Sequence, residues 1–259
     1  MTFDLIPLRL RFTARAPIQF PPATAANLLR GALGKSLMRT SPEAYARRFA
    51  PEAADGPSGL RDAPRPFVFR ASHLDGVAVE QGEAFEFGVN LFDCKGDAVD
   101  LFVGAFEDRF GPAVIESRDI LRLPLKPFAL QVARLRVRFL TPTELKGSDT
   151  PEFGPLIARI RDRASTLRAL YGAGPLEIDF HAMGERASQV KMTRCEIEHV
   201  KAERTSRATG QTHSLGGFTG VAEYEGELAE FVPYLEIARW TGVGRQTVWG
   251  KGEIGWEII

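Results

Sequence analysis

The densest chemical signal in the chain lies near its end. In Trp240-Thr-Gly-Val-Gly-Arg-Gln-Thr-Val-Trp-Gly-Lys-Gly252, four glycines fall within eleven residues. Glycine reaches positive φ and leaves its N–H unobstructed, so such a run can fold into a nest of amides that holds an anion. Arg245 and Lys251 supply positive charge beside Gly242, Gly244, Gly250 and Gly252, and Gln246 and Thr247 supply neutral hydrogen-bonding groups. The flanking patterns exclude two nucleotide-binding motifs. A dinucleotide fingerprint follows a strand and opens a helix, whereas here a helical pattern precedes and a strand pattern follows. A P-loop needs Ser or Thr after its lysine, and Gly252 follows Lys251. A plain turn is the alternative to an anion site.

A second basic feature is repeated. Leu8-Arg-Leu-Arg-Phe12 recurs as Leu135-Arg-Val-Arg-Phe139, an offset of 127 residues. Apolar and basic residues alternate in both copies, the period-2 pattern of a strand with one buried face. Arg9 and Arg11 therefore share a face, as do Arg134, Arg136 and Arg138. Guanidiniums in such a row repel one another unless anions lie opposite. Two readings follow: carboxylates on neighbouring strands neutralise the row, or the row tracks a phosphate backbone.

The neutral total, 33 basic against 33 acidic residues, hides an uneven distribution. Residues 1–48 hold eight basic and two acidic residues, 49–133 eight and fourteen, and 134–168 eight and four. Net neutrality argues against indiscriminate polyanion binding but not against a focused groove.

The elements that must position these groups repeat as well. In the first half a strand at 8–12 leads to a helix over Ala23–Arg39, strands at Pro66–Arg70 and Glu83–Phe92, a helix over Asp97–Phe110 with Asp97 as its N-cap, and a strand over Val114–Leu123. In the second, the strand at 135–139 leads to a helix over Phe153–Leu170, strands over Ser188–Lys201 and Gly217–Tyr224, a helix over Glu227–Trp240 and a strand over Glu253–Ile259. Each half reads βαββαβ. The expected fold is α+β, two tandem ferredoxin-like (RRM-like) domains at 1–126 and 127–259, with the glycine-rich loop in the second. Ala50–Pro66, rich in Pro, Gly, Ala and Asp, reads as a long loop.

Other classes find little support. Cys94 and Cys195 have no metal-ligand or disulfide spacing and read as small buried hydrophobes. No apolar run approaches a membrane span, and the start of the chain lacks a secretory signal, so a cytoplasmic protein with no metal, cofactor or membrane partner is expected.

Gly216-Gly-Phe-Thr-Gly220, Tyr224-Glu-Gly226 and the loop from Gly242 to Gly252 together resemble the C-terminal region of CRISPR repeat-cleaving endoribonucleases of the RAMP superfamily. Phe139-Leu-Thr-Pro-Thr-Glu-Leu-Lys146 resembles the strand that opens their second domain, and Leu29-Arg-Gly-Ala-Leu-Gly34 resembles their first-domain helix. The resemblance implies tandem ferredoxin-like domains that bind CRISPR repeat RNA and cut it without metal, releasing guide RNA (crRNA). Effector-complex subunits or a second copy of the chain are further partners on this reading.

Metal-free cleavage uses the substrate's own 2′-hydroxyl as nucleophile, a base and an acid to move protons, and cations to stabilise the phosphorane. Many members carry a histidine in or near the first helix, where this chain has Lys35. Of the four histidines, His213 is the leading acid–base candidate, with Arg204 and Arg207 close by as RNA-binding residues. His73 reads as a turn residue, and His181 and His199 as strand-surface or core-edge residues. If no histidine acts, Lys35, Arg39 and Tyr45 form an alternative set on or just after one helix. A RAMP subunit that holds guide RNA without cutting is the competing function. An ordinary two-domain scaffold is a third.

Overall fold

Each alternating apolar–basic segment opens a sheet. The computed structural model describes residues 1–49, 63–200, 203–205, 212–214 and 216–259, with backbone alone for 203–205 and 212–214. Strand β1 (Thr2–Thr13) buries Leu8, Leu10 and Phe12 and exposes Arg9 and Arg11. Helix α1 (Ala25–Thr40) covers the apolar side with Leu29, Leu33 and Leu37, four residues apart on one face. Then come β2 (Phe67–Arg70), β3 (Ala84–Leu91), α2 (Ala98–Phe110), β4 (Val114–Ser117) and β5 (Leu121–Pro124). The sheet runs β2-β3-β1-β4, with β5 also on β1.

The second sheet is built the same way. Its elements are β6 (Arg134–Thr143), α3 (Phe153–Tyr171), α4 (Phe180–Ser188), β7 (Lys191–Val200), the short pair β8 (Glu203–Thr205) and β9 (Thr212–Ser214), β10 (Gly217–Glu225), α5 (Val232–Thr241) and β11 (Ile254–Ile258). The order is β11-β6-β10-β7. Counting each unit's four main strands in chain order, both sheets read 4-1-3-2 and are antiparallel. The chain is a tandem of ferredoxin-like units.

Four local expectations need correction. The strand expected over Val114–Leu123 is two strands, because β1 shifts register between Arg9 and Leu10 and residues 118–120 step out of pairing. A helix, α4, precedes β7; Asp179 caps it by accepting from Ala182 N at 2.9 Å. Helix α5 begins at Val232 rather than Glu227, with Pro233 in its first turn. Asp97 stands at the N-cap of α2, but its carboxylate accepts from Arg48 at 3.0 Å instead of capping the helix. The expected long loop lies outside the described residues over 50–62.

Phenylalanine builds the first core. Phe12 packs on Phe85 and Phe87 with ring centroids 5.6 Å from each, and on Phe110 at 5.5 Å. These rings face the helices, so the open face of the first sheet carries charge rather than aromatic stacking platforms. The second core takes in Phe3, Leu5, Val68 and Phe92 from the first unit, so the two units share buried apolar surface. Cys94 is half-buried and Cys195 exposed, unlike the buried pair expected. Among the described residues no helix is long and apolar enough to cross a membrane.

Candidate functional site

Between the units lies a cleft of about 320 Å³. From the first unit it receives Arg9 of β1, Arg70 at the end of β2, His73 of the short turn Ser72–Leu74 and Asn90 of β3; from the second, Arg239 and Trp240 of α5. Glu86 and Glu116 also line it, but Arg11 holds both, Glu86 at 3.6 Å and Glu116 more closely. Arg9 has no carboxylate in ion-pair reach among the described residues and stays exposed. Trp240 is oriented by its indole N–H, which donates to Glu236 at 3.1 Å; Trp256 donates to the same carboxylate at 3.0 Å. Arg239 lies 5.3 Å from the Trp256 ring centroid.

This lining combines three capacities. Arg9 suits phosphate oxygens, as does Arg239 once it leaves Glu236 at 3.5 Å, an indole face suits a nucleobase, and imidazole moves protons near neutral pH. His73 Nε2 lies 2.9 Å from the Glu86 carbonyl oxygen, so with Nε2–H donating there, Nδ1 is the acceptor. His73 lies in the turn expected for it, yet it shares the cleft with Arg70, Arg239 and Trp240, none of which the local sequence marks as a site residue. Their approach is tertiary, and no local spacing announces it.

The glycine-rich loop sits at the same joint. Six of its amides donate to backbone carbonyls: Gly242 to Ala238, Val243 to Gly252, Arg245 to Glu144, Trp249 to Gln246, Gly250 to Thr247, and Gly252 to Pro142. Gly252 has φ +68°, and a Cβ there would overlap the Val243 carbonyl oxygen. Gln246 adopts φ 62°, left-handed without being glycine. Lys251 is only 4% exposed, and its ammonium donates to Ala23 O, at the start of α1, at 3.2 Å. Burial pulls its pKa below the usual lysine value. The charge expected beside the loop therefore lies inside the joint. Thr247 is buried, and Arg245 pairs with Glu144 at 2.8 Å. Gly242 ends α5 at φ +71°, and Gly250 approaches Ala26 of α1.

The basic row on β6 meets carboxylates. Arg136 donates to Glu223 at 2.7 Å and to Glu257 at 3.0 Å, and Arg138 reaches Glu257 at 2.7 Å. Arg134 lies 3.7 Å from Glu223 and 3.9 Å from Glu225. The hydrogen bond from Arg136 holds the Glu223 carboxyl below the usual carboxylate range, against the opposing effect of burial. Of the two readings of this row, neutralisation by neighbouring strands describes its geometry.

The candidates for proton transfer are dispersed. His213 pairs in register with Arg204 across the β8–β9 hairpin; Arg207 lies outside the described residues. His199 is exposed on β7 and meets the Phe218 ring edge-on at 6.3 Å, beside a pocket shared with Lys146 and Arg245. His181 lies on α4, 3.6 Å from Glu185. On α1, Lys35 is exposed. Arg39 is ion-paired to Asp108 of α2, which also accepts from Ser36 at 2.8 Å. Tyr45 stacks on Phe49 at 4.9 Å. The pairing of Arg39 with α2 places its charge on the helix layer.

Residues 137–254 match the sequence model of the family described as CRISPR-associated endoribonuclease Cas6. Residues 3–123 match a separate one described as an N-terminal domain. No curated protein matches the chain. Among solved structures, a product complex of Cas6 (TTHB231) superposes with a TM-score of 0.61 at 16% identity, covering 99% of this chain and 100% of that one. Thermus thermophilus Cas6 (TTHB231) itself gives 0.58 at 15% identity over 99% of each chain. A partial Cas6-RT-Cas1–Cas2 complex gives 0.63 at 11% identity, over 99% of this chain and 46% of that one. At these identities the structural likeness is one of fold.

Proposed function

We propose that this chain, whose residues 137–254 match the Cas6 family model, is an endoribonuclease that processes CRISPR RNA by cutting within the repeat. The observation that carries the reading is the inter-unit cleft, where Arg9, without an ion-pair partner among the described residues, lines the same cavity as Arg239, Trp240 and His73 in a tandem fold shared with the Thermus protein. A single-stranded segment of the repeat crosses this cleft, its phosphates on Arg9 and Arg239 and a base on the Trp240 ring. The β8–β9 hairpin with Arg204 and His213, and the Lys146–His199–Arg245 pocket, extend the RNA-binding surface along the second unit.

Cleavage proceeds by attack of the ribose 2′-hydroxyl on the adjacent phosphorus. A base removes the hydroxyl proton, the bond to the departing 5′-oxygen breaks, and an acid protonates that oxygen. The products are a 2′,3′-cyclic phosphate and a 5′-hydroxyl, and no metal is required. The proton-transfer role falls to His213 on the hairpin or to His73 in the cleft, with Lys35 as the non-histidine alternative. Other CRISPR proteins are its partners, in keeping with the structural neighbour described as a Cas6-RT-Cas1–Cas2 complex.

The test is incubation with end-labelled repeat RNA in EDTA. One discrete cut ending in a cyclic phosphate is expected, and a 2′-deoxy substitution at the scissile nucleotide should abolish it. A gel shift without cleavage would make the chain a guide-RNA-holding subunit, and cutting of the deoxy substrate would exclude the mechanism. His73→Ala and His213→Ala, tested separately, show which histidine moves the proton.

A further inference from the structure

The carboxyl end of α5 is held from outside its own unit. The last carbonyls of a helix have no partner within it and must find donors elsewhere. Here Arg70 Nη2 donates to Arg239 O at 2.9 Å and to Trp240 O at 3.0 Å. Asn90 Nδ2 donates to Trp240 O at 2.8 Å. The next carbonyl, Thr241 O, accepts from Arg163 Nε of α3 at 3.1 Å. Three consecutive carbonyls are thus satisfied by side chains, two of them from the other unit. A cation at this end also complements the helix dipole.

The placement of these bonds matters more than their number. Arg239 and Trp240, whose backbone is gripped, carry the side chains that form one wall of the cleft. Arg70 and Asn90 stand on β2 and β3, in the sheet that carries Arg9 on the other wall. Arg70 is half-buried, and its carboxylate partner among the described residues, Glu253, is 3.9 Å away, so backbone carbonyls are its nearer acceptors. The clamp therefore ties the two walls together through main-chain atoms, independent of any bound RNA.

We propose that Arg70 and Asn90 are positioning residues that set the width of the RNA cleft by capping α5 across the boundary between the units. The inference rests on the function proposed above in taking the cleft as the RNA site. Two half-sites joined rigidly bind as one, and the advantage disappears when their spacing no longer permits simultaneous engagement. Removing the clamp should therefore weaken RNA binding although no phosphate contact has been deleted.

The test compares wild type, Arg70→Leu/Asn90→Leu and Arg70→Lys by small-angle scattering and by repeat-RNA binding across a salt series. The double variant should keep the wild-type circular dichroism, show a larger radius of gyration and bind the repeat about 10- to 100-fold more weakly. Its slope of log affinity against log salt should be unchanged. Arg70→Lys retains a cation at the same carbonyls and should recover most of both losses. A scattering profile superimposable on wild type overturns the proposal. So does a slope shallower by about one unit, the mark of a lost phosphate contact. If the double variant fails to fold, Asn90→Ala and Arg70→Lys are judged by the same measurements. If wild type binds no repeat RNA, the functional reading fails and scattering alone decides the clamp.

Discussion

Replacing Gly252 by alanine separates two roles for the glycine-rich loop. If its glycines serve a phosphate, the substitution harms RNA binding and leaves the free protein unchanged. If they serve close packing of the joint, the free protein suffers first. The structure supports the second. A left-handed backbone costs a non-glycine residue roughly 1–2 kcal/mol, and Gly252 has φ +68°. The new methyl would also overlap the Val243 carbonyl oxygen. Relieving that overlap breaks the Val243 N–Gly252 O bond of 2.9 Å and the Gly252 N–Pro142 O bond of 3.0 Å, each worth about 1 kcal/mol. Strain and lost bonds together come to about 3–4 kcal/mol, or a fall in Tm of about 6–16 °C for a chain of this size. Gly31→Ala is the control: Gly31 is exposed within α1, and its Cβ would meet nothing within 4 Å. That change should stabilise by about 0.8–1 kcal/mol through helix propensity. Calorimetry without RNA reads both. A Gly252→Ala protein that melts with wild type yet fails to bind RNA would refute the packing argument.

Two further substitutions probe the charge arrangement. Lys251→Ala removes the ammonium that donates to the Ala23 carbonyl and should lower stability by about 0.5–1.5 kcal/mol, leaving the salt slope of RNA binding as in wild type; an unchanged Tm with a shallower slope would return Lys251 to the RNA surface. Glu223→Gln removes the carboxylate that Arg136 and Arg194 share, leaving them Glu257 and Glu196 respectively, and the one negative charge lost should steepen the salt dependence of RNA binding by up to about one unit, an effect that an unchanged slope would disprove. Because the Glu223 pKa is lowered in the folded protein, its stabilisation is fully present above the ordinary glutamate pKa and is lost as pH falls through the folded value. The stability gap between wild type and Glu223→Gln should accordingly close on acidification, and a gap equal at neutral and strongly acid pH would remove Glu223 as its source.

The architecture was legible because it is written in local periodicity. The repeated Leu-Arg-Leu-Arg-Phe and Leu-Arg-Val-Arg-Phe segments are the first strand of each 4-1-3-2 sheet, β1 and β6. Helices such as α1 and α3 announce themselves through apolar spacing. What escaped is α4, nine residues long and signalled mainly by Asp179 and the apolar Phe180, Met183 and Ala187. The site was less legible than the fold because its geometry depends on distant partners. Whether Arg136 points to RNA or to Glu223 is decided by strand register across 87 residues. Lys251 looks like a loop charge until the first unit closes over it. Arg70 meets its carbonyls across 169 and 170 residues, and nothing near Arg70 in the chain foretells that contact.

The second hydrophobic core borrows Phe3, Leu5, Val68 and Phe92 from the first unit, so the two units are not interchangeable modules. An isolated first unit would present those side chains to water, and an isolated second would keep a void where they belong. Melting should therefore be a single cooperative event for the whole chain. Exchanging one half for that of a relative would require recutting the seam on both sides.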